Sequence, residues 1–291
     1  MNCNLCVRKC NVNRDLTFGF CKSSNVIKIA KVMLYEYEEP CISGENGSGA
    51  IFFSNCNMKC VFCQNYEISI LGKGKEVSIS DFADLLISLE KKKAHNVNLV
   101  TPGHYAHLIK EGIILAKKKG LSIPIIYNTN SYESVDVIKS LNGLIDIYLP
   151  DFKYYDDKYA IKYSSAPGYC DNAKLVIDEM VKQVGTPIFK NGMMVKGVLV
   201  RHLMLPTLTL DTKRIINYLY STYGDNIYLS IMNQYTPMKK FNDDILNKKV
   251  SKKEYEEIID YAYDIGVRNA YVQDDGTCKK SFIPDFSEQN F

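Results

Sequence analysis

The sequence predicts an α/β fold: one large domain built on a parallel sheet, preceded by a short cysteine-rich segment. Strand-like and helix-like segments alternate from about residue 50 onwards, which is typical of β-α units. The chain has 291 residues, enough for one large α/β barrel or for two ordinary domains. Eight of the ten cysteines lie in the first 63 residues. We therefore divide the chain into a cysteine-rich segment, 1–45, and a core domain, 46–291.

The first predicted elements follow one another closely. A strand at residues 50–53 leads directly into a loop that contains three cysteines. Ser78 and Asp81 form a capping-box pattern, which marks the start of a helix. Behind it, four apolar residues have the spacing of a helix buried on one side: Phe82, Leu85, Leu86 and Leu89. A strand at 97–100, a helix over about 104–119 and a strand at 123–127 follow, with Pro124 at the start of that strand.

The alternation continues to the end of the chain. Further strands are predicted at residues 144–149, 197–203 and 227–232, and a last one at 271–273. A helix precedes the last strand, because four residues share one helical face: Tyr255, Ile258, Ile259 and Ala262. Residues 164–173, between the strands at 144–149 and 197–203, are predicted to form a mobile loop. About six β-α units result.

Composition and charge argue against several classes of protein. The 36 Lys and Arg residues against 33 Asp and Glu give a net charge of +3, too small to indicate nucleic-acid binding. No apolar run is long enough to span a bilayer, and the N-terminus lacks the pattern of a signal peptide. We therefore expect a cytoplasmic protein with no membrane segment. In that compartment, clustered cysteines indicate metal binding or catalysis rather than disulfides.

Three cysteines on one short loop are the strongest functional signal. Cys56, Cys60 and Cys63 have the spacing C-x3-C-x2-C. A [4Fe–4S] cluster is usually held by four thiolates, so three thiolates leave one iron open to a small molecule with an amine and a carboxylate. A zinc site is the alternative. Structural zinc requires four protein ligands, however, and no Cys or His follows Cys63 closely in the sequence.

This loop resembles the signature of the radical S-adenosylmethionine (SAM) superfamily, including the aromatic Phe62 before the last cysteine. The resemblance implies that the open iron chelates the methionine end of SAM. It also implies reductive cleavage of SAM to methionine and a 5′-deoxyadenosyl radical, which abstracts hydrogen from a substrate. The alternating elements would then form the partial (β/α)6 TIM-type barrel of that superfamily, with a small N-terminal four-cysteine metal module.

More specifically, the chain resembles homologues of the pyruvate formate-lyase activating enzyme. Matching phrases occur in the same order at residues 39–44, 56–65, 98–102, 148–154, 201–203 and 234–237. The resemblance implies an oxidoreductase that activates a glycyl radical enzyme by removing hydrogen from a backbone glycine of that partner. It also implies a reductant such as flavodoxin or ferredoxin.

Several predicted strand ends are polar, and the active sites of α/β barrels are formed at such ends. By the resemblance, Lys153 of the Asp151-Phe152-Lys153 motif faces the SAM carboxylate, and Asp151 supports a bound cation. Asn128 and Thr129 take the place of an Asp-Thr pair that completes this cation site, with an amide here instead of the acid. An ordinary ion pair is the alternative for Asp151 and Lys153.

Two further residues complete the predicted SAM contacts. Thr101 begins a Thr-Pro-Gly run where many radical SAM enzymes have Gly-Gly-Glu, whose backbone binds the SAM amino group. The resemblance therefore implies that Thr101 rebuilds this contact. Arg201 lies where an arginine commonly approaches SAM. The sequence assigns no residue to a catalytic step on the substrate.

A second cysteine group lies at the N-terminus. Cys3, Cys6, Cys10 and Cys21 have the spacing C-x2-C-x3-C-x10-C. Four thiolates can close a metal site, and so short a segment needs a metal to fold. Tetrahedral sulfur coordination suits zinc, a single iron or an iron–sulfur cluster. A structural zinc or rubredoxin-like iron is favoured, and an auxiliary cluster is the alternative.

The three other cysteines have no partners nearby in the sequence. Cys41 is either a buried thiol, a ligand exchanged with the N-terminal group, or a residue directed at the substrate. Cys170 and Cys278 are expected to be buried free thiols.

Two alternatives to the glycyl-radical activity remain. The first is modification of a small molecule or a peptide. The N-terminal module favours it, since the simplest activating enzymes consist of the barrel alone. The second is a non-enzymatic metal-ribbon protein that binds nucleic acid, which the near-neutral charge opposes.

Overall fold

The structure, a computed structural model, describes residues 2–273, 284–286 and 291, and a ten-stranded sheet forms its centre. The strands of the described chain are β1 Ile27–Tyr35, β2 Ser48–Phe53, β3 Lys75–Val77, β4 Val97–Val100, β5 Ile125–Thr129, β6 Ile147–Pro150, β7 Ile188–Lys190, β8 Met193–Leu203, β9 Tyr228–Met232 and β10 Ala270–Val272. Their order is β10-β9-β8-β6-β5-β4-β2-β1-β3, with β7 paired to β8 outside this path.

Most of this sheet is parallel. Each neighbouring pair from β2 through β4, β5, β6, β8 and β9 to β10 is parallel, whereas β1 is antiparallel to β2 and β3, and β7 to β8. The end strands β10 and β3 do not pair with each other within the described residues. The predicted α/β fold is thus confirmed as a partly open sheet, consistent with a partial barrel.

Helices connect the parallel strands. They are α1 Pro40–Ser43, α2 Tyr66–Ser69, α3 Ile79–Lys91, α4 Ala106–Lys118, α5 Val135–Ser140, α6 Asp157–Ser164, α7 Tyr169–Val184, α8 Thr209–Tyr223 and α9 Lys252–Asp264. The start of α3 matches the sequence: the Ser78 hydroxyl accepts a bond from the Asp81 amide, and the Asp81 carboxylate accepts one from the Ser78 amide. This capping box satisfies two donors that the first helical turn leaves free.

The two faces of the sheet are buried by different partners. In β5, Ile125 and Tyr127 belong to the large apolar core, whereas Ile126 packs in a smaller cluster with Cys41 and Ile42 of α1. Successive residues of a strand point to opposite faces. Helix α1 therefore packs against the Ile126 face of the sheet.

The fold differs from the sequence prediction chiefly in two segments, besides the short strands β3 and β7, which were not predicted. Strand β1 was not predicted; it lies in the segment assigned to the cysteine-rich N-terminus and pairs with β2 from Ile29 to Tyr35. The prediction of a loop over residues 164–173 is wrong for most of its length. Ser164 ends α6 and α7 begins at Tyr169, since burial of Tyr169 and Ala173 stabilises the helix. Residues 165–168 alone connect the two helices.

No helix in the described part of the chain is both long enough and apolar enough to cross a bilayer.

Candidate active site

A cavity of about 620 Å³ lies at the C-terminal ends of the parallel strands. Asn128 in β5 and Asp151 just after β6 line this cavity. They come two residues after Ile126 and Leu149, which belong to the smaller apolar cluster. The volume of the cavity is within the range of about 300–1,000 Å³ typical of small-molecule sites. The predicted site residues that line it are Cys56, Cys60, Cys63, Thr101, Asn128, Asp151, Lys153 and Arg201.

The three-cysteine loop, residues 54–65, follows β2 directly and is held by backbone hydrogen bonds. The amides of Lys59 and Val61 donate to the carbonyls of Ser164 (3.0 Å) and Tyr163 (2.9 Å) at the end of α6. Asn55, which precedes the first cysteine, has a φ of +72°, a conformation that Asn tolerates better than most residues. Local backbone geometry and α6 therefore set the direction of the loop.

Each of the three thiols faces a side chain that can donate a hydrogen bond. The pairs are Asn130 Nδ2 to Cys56 Sγ (3.4 Å), Ser164 Oγ to Cys60 Sγ (3.0 Å) and Ser69 Oγ with Cys63 Sγ (3.2 Å). The Met58 amide also donates to Cys56 Sγ (3.4 Å). Such donors favour thiolates and help to set the potential of an iron–sulfur cluster.

The chemistry of this donor set fits an iron–sulfur cluster. Burial raises the pKa of the Cys56 thiol to about 12 and that of Cys60 to about 11, so iron must displace their protons when it binds. In the described residues, no three Cys, His, Asp or Glu side chains are grouped as the ligands of a single metal ion. A cluster does not need such a group, because each of its thiolates binds a different iron.

Asp151 and Lys153 form an ion pair in the wall of the cavity. Lys153 Nζ lies 2.6 Å from Asp151 Oδ2, and both side chains are less than one-quarter exposed. Burial opposes the charge on Lys153, but Asp151, Cys60 and Cys63 outweigh it and raise the pKa of the ammonium group. Lys153 is therefore a fixed positive charge beside the thiols.

Arg201 lines the same cavity but is engaged by two glutamates. Its Nε donates to Glu39 Oε1 (2.9 Å) and its Nη2 to Glu38 Oε2 (2.5 Å), and it also contacts Glu39 Oε2. Burial opposes ionisation of Glu39, yet Arg201 and Ser230 hold its pKa below the usual value. Residues 39–44 match a phrase of the activating-enzyme homologues, but neither Glu38 nor Glu39 was predicted to have a role. Two adjacent acids between a strand and Pro40 were the available signal.

Thr101 lies in the cavity, whereas Thr129 points away from it. Thr101 has a φ of +59°, which is strained for a β-branched residue, and its amide donates to the Asn128 carbonyl (2.8 Å). The Thr129 hydroxyl instead bonds to Glu133, a fully buried carboxyl that packs against Gly103. Burial raises the pKa of Glu133 to about 7. Asn128 and Thr129 therefore do not face the cavity together.

The four N-terminal cysteines lie close enough together for the other three to affect the pKa of Cys6. Burial raises the pKa of the Cys6 thiol to about 11, and Cys21, Cys10 and Cys3 all contribute to the rise. Three residues next to these cysteines have a positive φ: Lys9, Asn11 and Lys22. As described above, the four thiols do not form the shell of one ion, so this metal site stays a prediction. Besides the pairing of β1 with β2, the segment contacts the core domain through a bridge between Cys6 and Glu133.

Two of the remaining cysteines are buried. Cys41 packs with Ile42 and Ile126 beneath the cavity, and burial raises the pKa of its thiol to about 11. Cys170 is buried on α7. Cys170 agrees with the expectation of a buried free thiol, and Cys41 agrees with the first of its three alternatives. Cys278 lies outside the described residues.

Comparison with known proteins finds proteins that are similar to most of this chain. An uncharacterised protein of Methanocaldococcus jannaschii is 29% identical over 278 residues, which cover 90% of this chain and 74% of the relative. The fold is similar to that of Streptococcus suis SuiB bound to precursor peptide SuiA, with a TM-score of 0.55, 14% identity and coverage of 77% of this chain. It spans 47% of SuiB, about half of that protein.

A second solved structure is similar, a radical SAM methyltransferase from Sphaerobacter thermophilus. Its TM-score is 0.53 with 12% identity, and the match covers 78% of this chain and 67% of that one. The family model of the Radical SAM superfamily matches residues 50–219, which include the three-cysteine loop and strands β4, β5, β6 and β8. Since this match covers more than half of the sequence, the chain belongs to the Radical SAM superfamily, and membership implies an iron–sulfur cluster and SAM.

Proposed function

We propose that this protein cleaves SAM reductively in the 620 Å³ cavity and uses the resulting 5′-deoxyadenosyl radical to abstract hydrogen from a substrate. Cys56, Cys60 and Cys63 would hold a [4Fe–4S] cluster, which supplies the single electron for the cleavage. The carrying observation is that three thiols, each with a hydrogen-bond donor, open into a cavity that also contains a fixed ammonium group. A closed structural metal site would need no such cavity.

The residues of the cavity can bind and orient SAM. Lys153 presents a compact positive charge that suits a carboxylate, and Asp151 keeps it ionised and fixed in direction. Thr101 turns its backbone sharply at the end of β4, and its amide already donates to the Asn128 carbonyl. Its own carbonyl would therefore be the group that accepts a bond from the SAM amino group at the cavity wall. Arg201, neutralised by Glu38 and Glu39, would orient these acids rather than bind a second carboxylate.

For the substrate, our first candidate is the backbone glycine of a glycyl radical enzyme. The support is the series of phrases shared with activating-enzyme homologues from residue 39 to residue 237. For this candidate, the segment that carries the four N-terminal cysteines, residues 3–21, is an addition to the barrel. A fold shared with a family fixes the chemistry less firmly than the site does, so this candidate needs a direct test.

The second candidate is modification of a peptide or a small molecule. The similar SuiB structure contains a precursor peptide, although that likeness reaches only the fold. The rim of the cavity here also carries Glu36 and Tyr37, both exposed, which could contact an extended chain. An additional metal module is more easily explained by this candidate than by a minimal activating enzyme.

The experiment is an anaerobic assay of the reconstituted protein with SAM and a reductant. We expect 5′-deoxyadenosine to form, and we expect the cluster spectrum to change when SAM is added. Glycyl radical enzymes would then be supplied, and a glycyl radical signal would be sought by electron paramagnetic resonance. A mass shift in a peptide, without such a signal, would instead favour the second candidate. No 5′-deoxyadenosine from protein with full iron content would reject the proposal.

A further inference from the structure

A surface next to the three-cysteine loop combines one exposed aromatic ring with three cations, of which Lys22 is exposed and Arg8 and Lys59 are half-buried. Phe20 is 37% exposed; the Arg8 guanidinium carbon lies 3.3 Å from the centre of its ring, and Lys59 Nζ lies 5.6 Å away. Lys22 is exposed and adds a third positive charge close to Lys59. We call Arg8, Phe20, Lys22 and Lys59 the Phe20 patch.

The Phe20 patch lies outside the cavity, on another side of the same loop. Cys56, Met58 and Cys60 line the cavity, whereas Asn57 and Lys59 between them do not. No member of the patch lines the cavity either. A protein bound to the patch would therefore leave the cavity free for SAM and the substrate.

The patch is connected to the first cluster thiol by a short chain of hydrogen bonds. Arg8 Nε donates to the Asn57 carbonyl (2.6 Å), and its Nη2 donates to the Ser165 carbonyl (2.5 Å). Asn130 Nδ2 donates both to Asn57 Oδ1 (2.8 Å) and to Cys56 Sγ (3.4 Å). A contact at the patch is thus one residue removed from a cluster ligand.

The charge of this region stands out from the rest of the chain. Residues 1–28 contain five Lys and Arg residues and one Asp, whereas the whole chain has a net charge of only +3. Within the part of the chain that the structure describes, Arg8, Lys22 and Lys59 form no ion pair. Arg8 binds two backbone carbonyls and stacks on Phe20, but these contacts do not explain the exposed charge of Lys22.

We propose that the Phe20 patch docks an acidic one-electron carrier protein that reduces the cluster held by Cys56, Cys60 and Cys63. This inference rests on the proposed function, which requires one external electron for each cleavage. In the step, the carrier is oxidised by one electron and the cluster is reduced by one, with no bond made or broken. Complementary charge steers such partners together and accelerates their association. The exposed ring supplies the apolar contact at the centre of the interface.

The test uses the full-length protein with its cluster reconstituted and fully reduced flavodoxin as the probe. Bleaching of the cluster absorbance is followed by stopped-flow at low salt. Lys22→Glu should slow bleaching on the order of ten-fold, and Lys22→Gln should slow it less, because charge steering governs the encounter. Raising the salt concentration should remove the difference. Lys118→Glu, at the exposed end of α4, is the control and should react at the wild-type rate.

Dithionite, a small reductant that needs no docking surface, separates this inference from the proposed function. It should bleach wild type, Lys22→Glu and Lys22→Gln equally. Normal rates with flavodoxin in both variants would overturn the docking proposal and leave the proposed function intact. Equal slowing with both reductants would also overturn it, since the patch would then act on the cluster itself. A cluster that neither reductant bleaches would count against the proposed function.

Discussion

The two cysteine groups of this chain have similar spacings but different surroundings. Each thiol of the three-cysteine loop faces a hydrogen-bond donor and opens into a cavity that contains Lys153 and Asp151. None of the four N-terminal cysteines lines that cavity. Instead, the backbone turns sharply at residues next to Cys10 and Cys21, with positive φ at Lys9, Asn11 and Lys22.

The loop thus has the surroundings that a reactive centre requires, whereas the metal site at the N-terminal cysteines stays a prediction. A metal centre with an open position needs space, orienting groups and controlled charge around it. A structural centre needs only the ligands and the turns that bring them together. Spacing alone predicts that both groups bind metal, but only the surroundings show which one can bind a further molecule.

The largest expected effect follows from removing one thiol of the loop. Cys60→Ala should abolish formation of 5′-deoxyadenosine and lower the iron content, because two thiolates do not hold the cluster. The measurements are product by chromatography and iron per chain after anaerobic reconstitution. Cys170→Ala, at a buried cysteine outside the site, should retain both. Product from a variant that lacks Cys56, Cys60 and Cys63 together would refute the cluster assignment.

Removing an N-terminal thiol should act on stability rather than on SAM. Cys21→Ala should lower the free energy of unfolding by an amount on the order of a few kcal/mol, since binding of a structural metal is coupled to folding. Thermal unfolding and metal per chain are measured together. The spectral change on adding SAM should persist in the folded fraction. Unchanged metal content and stability would mean that these four cysteines bind nothing.

Local sequence patterns predicted the repeating part of the fold and failed at its edges. The strand at 97–100 and the capping box at Ser78 are found as expected, because alternation and capping are properties of neighbouring residues. Strand β1 was missed because the cysteines around it suggested a separate metal segment. Its place in the sheet depends on pairing with β2, which the sequence of β1 does not specify.

The candidate site shows the same limit. The position of Lys153 beside the cysteines followed from a motif of three residues and from the rule that strand ends meet at one edge. Ser164 and Asn130 were not predicted, since each reaches a thiol more than 70 positions away in the sequence. Arg201 was predicted at the cavity, but its engagement by Glu38 and Glu39 depends on the packing of β1 and α1 against β8.

A third prediction tests the feature that only the loop site has. Lys153→Ala should weaken SAM binding ten-fold or more, since losing one partner of a desolvated charge pair costs ~2–5 kcal/mol and about 1.4 kcal/mol is a factor of ten. The iron content should not change, because Lys153 is not a ligand. The affinity is measured by titrating the cluster signal with SAM, with Lys118→Ala as the control. Equal affinities in the two variants would place Lys153 outside the SAM site.

A fourth prediction concerns Glu133, where the N-terminal segment meets the core domain. Its folded-state pKa of about 7 lies above the usual value for a glutamate. The contribution of this carboxyl to the free energy of unfolding is therefore fully present at low pH and is lost as the pH rises towards 7. Glu133→Gln cannot titrate and should reduce this loss, which is on the order of 2–3 kcal/mol between pH 5 and pH 8. Urea unfolding at both pH values measures it. Glu111→Gln, on the exposed side of α4, should keep the wild-type profile; an identical profile for Glu133→Gln would show that this carboxyl does not titrate on unfolding.

The smallest expected effect isolates the hydrogen bonds that distinguish the loop thiols. Ser164 Oγ donates to Cys60 Sγ at 3.0 Å and also bonds to Tyr154 Oη at 2.7 Å. A donor stabilises the more negative, reduced cluster, so Ser164→Ala should lower its midpoint potential by an amount on the order of tens of millivolts. The potential is measured by anaerobic redox titration, with iron content as the check on assembly. Ser221→Ala, whose hydroxyl bonds only to the Tyr218 carbonyl among the described contacts, is the control. A potential that is unchanged in Ser164→Ala would show that this bond positions the loop without tuning the cluster, and any tuning by hydrogen bonds would then fall to the donors at Cys56 and Cys63.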